Sequence, residues 1–252
     1  MYDAPALHTM PRQVMLELTA SRIAVAIALP ALAGCGDSTR NSDYFPLTPG
    51  SQWQYRIERI TMDGTDQQRY LIKVEVPTPD TSADLRSRVT FDGQRFQYKL
   101  ADEGIYRIGV QRAQEPTLAA DSQPQMVLPS KLVLDEQWRG QSMTAVLETR
   151  RPPFESMFRA QVPVEMHYRV TSLDSDMTTP AGDFKNCLLV TGQGTAEADL
   201  GNGIGQTSIK VTSSEWFAPN VGLVRMDHHE TSSAPALRAG AMVMKLDNWS
   251  HP

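Results

Sequence analysis

Apolar and polar residues alternate with a period of two along much of the chain. Trp53, Tyr55 and Ile57 are separated by Gln54 and Arg56 and followed by Glu58. Tyr70, Ile72, Val74 and Val76 alternate with Leu71, Lys73 and Glu75, and Phe96, Tyr98 and Leu100 with Gln97 and Lys99. This period suits strands with one face on a core and the other in water. Asp92-Gly93, between Val89-Thr90-Phe91 and Arg95-Phe96, predicts a type I′ hairpin turn, whose two central positions need positive φ. With Asp102-Glu103-Gly104 as the next turn, residues 86–111 read as an antiparallel meander.

A second β region starts near Leu132 and includes Val164–Val170, with later strands near Phe184–Thr191, Thr207–Thr212, Leu223–His228 and Met242–Leu246. Between the two regions, Ala113 to Ser130 holds three prolines and little periodicity, and reads as a linker or crossing loop. Residues 192–205 carry five glycines and read as a mobile loop. No segment keeps helical spacing over three turns. The fold class is therefore mainly β: antiparallel sheets forming a curved sheet or partly open barrel. Leu47 and Leu132 each stand six residues before a tryptophan (Trp53, Trp138), which raises two similar β halves as an alternative.

The amino-terminal segment has a different pattern. Arg22 precedes ten uncharged residues, Ile23 to Leu32, too few to span a bilayer as a helix. A basic start, a short apolar run and small residues at its end describe a secretory signal peptide. The tetrapeptide Leu32-Ala33-Gly34-Cys35 resembles the lipobox of bacterial lipoproteins. That resemblance implies cleavage before Cys35, diacylglycerol on its sulfur and usually an acyl chain, such as palmitate, on the new amino terminus. Residues 1–34 are then a signal peptide, with Met15 an alternative start. Residues 35–43 are the lipidated cysteine and a flexible polar tether. Residues 44–252 are a β-rich envelope domain, with 113–131 a candidate point of subdivision. In the lipoprotein family an aspartate directly after the cysteine often retains the protein in the inner membrane. Here Gly36 holds that place and Asp37 follows, which points to the outer membrane, facing the periplasm.

Composition narrows the functions. The 252 residues carry a net charge of −5 with no basic block, so nucleic acid is not an expected partner. Beyond Cys35 the one cysteine is Cys187, within an apolar strand-like run, and it reads as a small buried hydrophobe. Asp227-His228-His229-Glu230 is the one histidine cluster. On a strand, His228 and His229 point to opposite faces and cannot readily share one ion, so a solvated strand end is the expectation. No Gly-x-Ser-x-Gly elbow occurs, and Gly201-Asn202-Gly203-Ile204-Gly205 lacks the helix a nucleotide fingerprint needs. Acidic pairs Asp135-Glu136 and Asp174/Asp176 read as turn carboxylates. No catalytic residue, metal ligand or cofactor is assigned. Eight of the twelve methionines, Met126 to Met244, suit core filling or the lining of an apolar cavity.

Three phrases resemble a loosely defined group of secreted bacterial β-rich proteins and lipoproteins: Asp43-Tyr44-Phe45-Pro46-Leu47 with Gly50, Trp53 and Tyr55; Pro180-Ala181-Gly182-Asp183-Phe184 with Cys187; and Trp216-Phe217-Ala218-Pro219-Asn220-Val221-Gly222-Leu223-Val224. The resemblance implies an exported β domain and carries over no catalytic residue. The expected function is a membrane-anchored, non-enzymatic binding or assembly protein of the cell envelope. Its partners would be the membrane, through acyl chains on Cys35, and an envelope protein or apolar ligand. The alternatives are a carrier of lipid or lipoprotein with an apolar cavity, and an envelope hydrolase. The expected core holds Trp53, Tyr55, Phe96, Tyr98, Tyr168 and Trp216.

Overall fold

The computed structural model describes residues 41–151, 156–201 and 203–252, all within one compact unit, Ser38–Pro252. The signal peptide, Cys35 and most of the tether lie outside the described residues. A four-residue helix, α1 (Asn41–Tyr44), precedes fourteen strands: β1 (Gln52–Thr61), β2 (Gly64–Val74), β3 (Leu85–Thr90), β4 (Arg95–Ala101), β5 (Gly104–Gln111), β6 (Ala119–Pro129), β7 (Gln137–Met143), β8 (Glu148–Thr149), β9 (Phe158–Arg159), β10 (Pro163–Thr179), β11 (Gly182–Asp199), β12 (Gln206–Ala218), β13 (Gly222–Ser232) and β14 (Ala239–Ser250). Twelve of them form one antiparallel sheet in the order β6-β5-β4-β3-β2-β1-β14-β13-β12-β11-β10-β7, and β8 and β9 pair separately. The sheet curls into a barrel that is nearly closed. Its two ends, β6 and β7, follow one another in sequence but are not hydrogen-bonded to each other.

The inward faces fill the barrel with two apolar clusters. One holds Trp53, Tyr55, Ile57, Tyr98, Val170, Leu188, Phe217 and Leu246, and is capped by Tyr44, Phe45 and Leu47. The other holds Val164, Met166, Ile209 and Val211, and is capped by Leu147, Ala160, Val162 and Leu237. Tyr168 packs against both. All three phrases of the secreted-protein resemblance meet at the first cap. Asn220 N–H donates to Asp43 O at 2.6 Å, Tyr44 Oη to Asn186 O at 3.2 Å, and Ala181 N–H to Leu246 O at 3.1 Å. Gly222, at φ +95°, leaves 3.1 Å between the place of a Cβ and the Pro46 ring.

Several expectations are corrected. Residues 119–129 are strand β6 rather than part of a linker, and its prolines suit an edge because proline brings no ladder donor. The glycine-rich stretch does not begin a loop at 192; β11 runs on to Asp199. Gly192 and Gly194 are there because the barrel wall is crowded. A Cβ at Gly192 would meet the Tyr168 ring at 2.6 Å, and one at Gly194 the Glu165 carbonyl at 2.2 Å. The Asp92-Gly93 hairpin exists, but as a longer loop in which Gly93 alone has positive φ (+83°). Gly93 N–H returns to Thr90 O at 2.9 Å, and Thr90 N–H bonds Gln94 O at 2.9 Å. Val76 lies past the end of β2 and is exposed. Trp53, Tyr55 and Tyr98 are buried as expected, with Phe96 and Tyr168 packed against the core. Trp216 instead lies half-buried with the Arg225 guanidinium 5.5 Å from its ring centroid, and Phe217 takes the fully buried place.

Candidate functional site

The open seam between β6 and β7 leads to a cavity of about 200 Å³. Phe45, Phe96, Tyr98, Met126, Trp138, Tyr168, Val190 and Phe217 make its apolar walls, and Arg107, Gln125, Gln141 and Glu215 its polar points. Trp138 of β7 and Tyr168 of β10 are register partners, stacked with centroids 5.6 Å apart at 22°. The Tyr168 ring lies over two glycines, Gly140 on one side and Gly192 on the other. A Cβ at Gly140 would stand 3.0 Å from that ring and 3.6 Å from the Met126 carbonyl oxygen across the seam. Small residues in the neighbouring strands thus let one large aromatic lie flat beside the gap.

The polar groups of this cavity are unevenly satisfied. Arg107 is paired with Asp121 through two contacts, at 2.9 and 3.4 Å. The Trp138 indole N–H is buried without a partner, and so is Ser213 Oγ nearby on β12. Glu215, two residues along the same face of β12, makes no hydrogen bond or ion pair with another described residue. Burial pushes its carboxyl up to about 7, while His228 of β13 opposes the shift. Burial likewise raises the Tyr168 hydroxyl above its ordinary value, with Glu215 adding to the shift.

Beyond Glu215 the barrel interior holds a fully satisfied polar group. Glu230 accepts backbone N–H bonds from Ala145 (2.7 Å), Val146 and Leu147 (both 3.1 Å), and its Oε1 lies 2.8 Å from His228 Nε2. Glu148 bridges Arg59 at 2.8 Å and Arg159 at 2.6 Å. These carboxylates hold the second cap onto the barrel. His228 and Glu230 are therefore buried, which corrects their reading as a solvated strand end; His229 alone is exposed. The two histidines do point to opposite faces. Among the described residues, no three His, Cys, Asp or Glu side chains are placed to hold a metal.

Cys187 is buried, and desolvation pushes its thiol up to about 11, so it behaves as a small hydrophobe. Cys35, the lipidation candidate, lies outside the described residues. Asp135 occupies a turn at φ +68°, whereas Asp174 and Asp176 stand on the exposed face of the irregular strand β10. Of the methionines, Met126 lines the cavity, Met166 is wholly buried, and Met143 and Met157 are exposed. Glu215 was not singled out from the sequence. Its one signal is an acid at an inward position of an alternating strand, Val211-Thr-Ser213-Ser-Glu215-Trp-Phe217. Among the described residues no helix is long and apolar enough to cross a membrane.

No family model and no curated protein matches the chain. Two solved structures are similar in outline. One is a candidate exported protein with a YmcC-like fold from Bacteroides fragilis, 14% identical, covering 81% of this chain and 97% of that one with a TM-score of 0.39. The other is a candidate lipoprotein from Parabacteroides distasonis, also 14% identical, covering 82% and 98% with a TM-score of 0.37. At these scores the likeness assigns neither a family nor a function.

Proposed function

We propose that the protein is a lipid-anchored binding protein of the bacterial cell envelope, held in the outer membrane through acyl chains on Cys35. Its β-barrel takes a small ligand into the seam cavity and performs no chemistry on it. The anchor rests on Leu32-Ala33-Gly34-Cys35 following a short apolar run. The binding role rests on one observation: an aromatic-walled cavity, open at an unpaired seam, that is lined by a carboxyl group, Glu215, without a hydrogen-bond or ion-pair partner. Cavities of roughly 150 Å³ accept a molecule the size of benzene, and drug-sized ligands need about 300 Å³ or more. A volume of about 200 Å³ suits a single ring with a short arm better than the acyl chains of a lipoprotein. That disfavours the carrier reading.

Two measurements test this function. Metabolic labelling with an alkyne fatty acid should mark the wild type and not Cys35→Ala, and density-gradient fractionation should place the wild type with outer-membrane markers. Native mass spectrometry of protein extracted from its own membranes should show a bound mass that is lost when Gly140→Leu fills the seam. Label persisting on Cys35→Ala would refute the anchor, and a mass unaffected by Gly140→Leu would refute the site.

A further inference from the structure

The seam cavity also shows what charge its occupant should carry. We infer, resting on the binding function above, that it is a small organic cation: an ammonium group against Glu215, with a flat apolar body beside Trp138 and Tyr168.

The charges around Glu215 point this way. On β13, His228 is already engaged by Glu230 at 2.8 Å. On β5, Arg107 is engaged by Asp121 of β6 at 2.9 Å. On β10 and β4, Tyr168 and Tyr98 are neutral phenols whose ionisation burial suppresses. The register partners of Glu215 in β11 and β13 are Val190 and Met226, which bring no charge. Arg107 therefore has its own anion, the His228 ring is already hydrogen-bonded to Glu230, and Glu215 is the acid left over.

An ammonium ion meets both needs of such a site. Its N–H groups form charge-assisted bonds to the carboxylate, and aromatic faces attract it through their negative quadrupole. An anion would confront Glu215 with no free cation to hold it. A neutral ligand would leave the ionised carboxylate unpaired in an apolar cavity, which is costly. Gln125 and Gln141, on opposite sides of the seam, line the way in.

Only ionised Glu215 attracts the cation, and burial pushes its carboxyl up to about 7. Affinity should thus be greatest above pH 8 and fall about tenfold between pH 8 and pH 6.

Calorimetric titration of the full lipidated protein in detergent micelles tests this with three probes of one size: 2-phenylethylammonium, 2-phenylethanol and phenylacetate. The ammonium should bind saturably and at least tenfold more tightly than the other two at pH 8. Glu215→Gln should remove that preference, with near-ultraviolet circular dichroism confirming the fold. The wild-type pH profile needs no variant and should show the tenfold loss by itself. Equal binding of 2-phenylethanol and the ammonium would overturn the cation while sparing the cavity as a binding site. Preferential binding of phenylacetate, or a flat pH profile, would overturn it too. Failure of all three probes, with no bound mass in the native protein, would overturn the cation and the binding function together.

Discussion

The indole N–H of Trp53 donates to the carbonyl oxygen of Val221 at 2.6 Å, tying the first strand to the β12–β13 turn across the intervening strand β14. Two further bonds repeat the tie: Tyr55 Oη to Leu223 O at 2.9 Å, and His251 Nε2 with Asn220 O at 2.6 Å. Trp53 is only 2% exposed, so its removal leaves both a void and an orphaned carbonyl. Trp53→Ala should cost about 3–5 kcal/mol, and Trp53→Phe, which keeps most of the volume, about 1–3 kcal/mol. Urea denaturation followed by far-ultraviolet circular dichroism measures both. An alanine cost below that of phenylalanine would show that packing is not what holds this corner.

Glu230 has a comparable place at the other cap. Three consecutive backbone N–H groups, from Ala145 to Leu147, end on its carboxylate, and no other acceptor is paired with them. Each donor left bare inside the protein costs about 1–3 kcal/mol. Glu230→Ala should therefore destabilise the fold by at least about 3 kcal/mol and speed amide hydrogen exchange at 145–147 before it affects β12. Glu230→Gln keeps one oxygen acceptor and should fall between. Exchange that rises equally everywhere would mean that this carboxylate stabilises the barrel globally rather than the cap.

Glu215 should oppose folding above neutral pH. Its carboxyl lies near 4.5 in the unfolded chain and at about 7 in the folded one. The folded protein thus keeps a proton that the unfolded chain releases, and stability falls as pH rises from about 4.5 through 7. Glu215→Gln should be more stable than wild type at pH 8 by about 1–3 kcal/mol, the lower end reflecting the partial exposure of the side chain to the cavity. At pH 4.5 the two should unfold at similar urea concentrations. A constant difference across this range would mean that Glu215 does not titrate in it.

The sheet was legible in the sequence because its strands carry water on one side, as at Trp53-Gln54-Tyr55-Arg56-Ile57, where alternation is a direct image of the barrel wall. The extent of β11 was not. Gly192 and Gly194 carry no side chain to alternate, and glycine reads as a loop residue unless the neighbour that needs its space, Tyr168 or the Glu165 carbonyl, is known. β6 was hidden by its prolines, which an edge strand tolerates. The seam was hidden for a further reason: no residue pattern announces that two consecutive strands fail to pair. Glu215 follows from that. Its chemistry depends on which strands surround it, and a lone acid on a strand says nothing until they are in place. The same glycines give a test. Gly194→Val would drive a side chain into the Glu165 carbonyl and should unfold the protein or lower its melting temperature by more than 10 °C, whereas Gly203→Ala, in open space at φ +78°, should lower it by a few degrees at most.

Arg88 offers the least intuitive expectation. Its guanidinium lies 3.7 Å from the Phe45 ring centroid, 4.8 Å from that of Trp53 and 5.8 Å from that of Tyr98. It donates to Pro46 O at 2.9 Å, its Nε has no partner, and among the described residues no carboxylate pairs with it. Burial lowers its affinity for a proton. Cation–π attraction returns about 2 kcal/mol or more when desolvated, whereas stripping water from an ion costs several. The desolvation term should prevail. Arg88→Met, which fills the same space with an apolar chain, should leave stability unchanged or raise it by about 1–3 kcal/mol. Arg88→Ala, which also opens a void beside Phe45 and Trp53, should lower it by about 2–4 kcal/mol. Urea denaturation of both variants separates charge from volume. A methionine variant as unstable as the alanine one would mean that the aromatic clamp around the cation, rather than the space it occupies, is what holds the first cap in place.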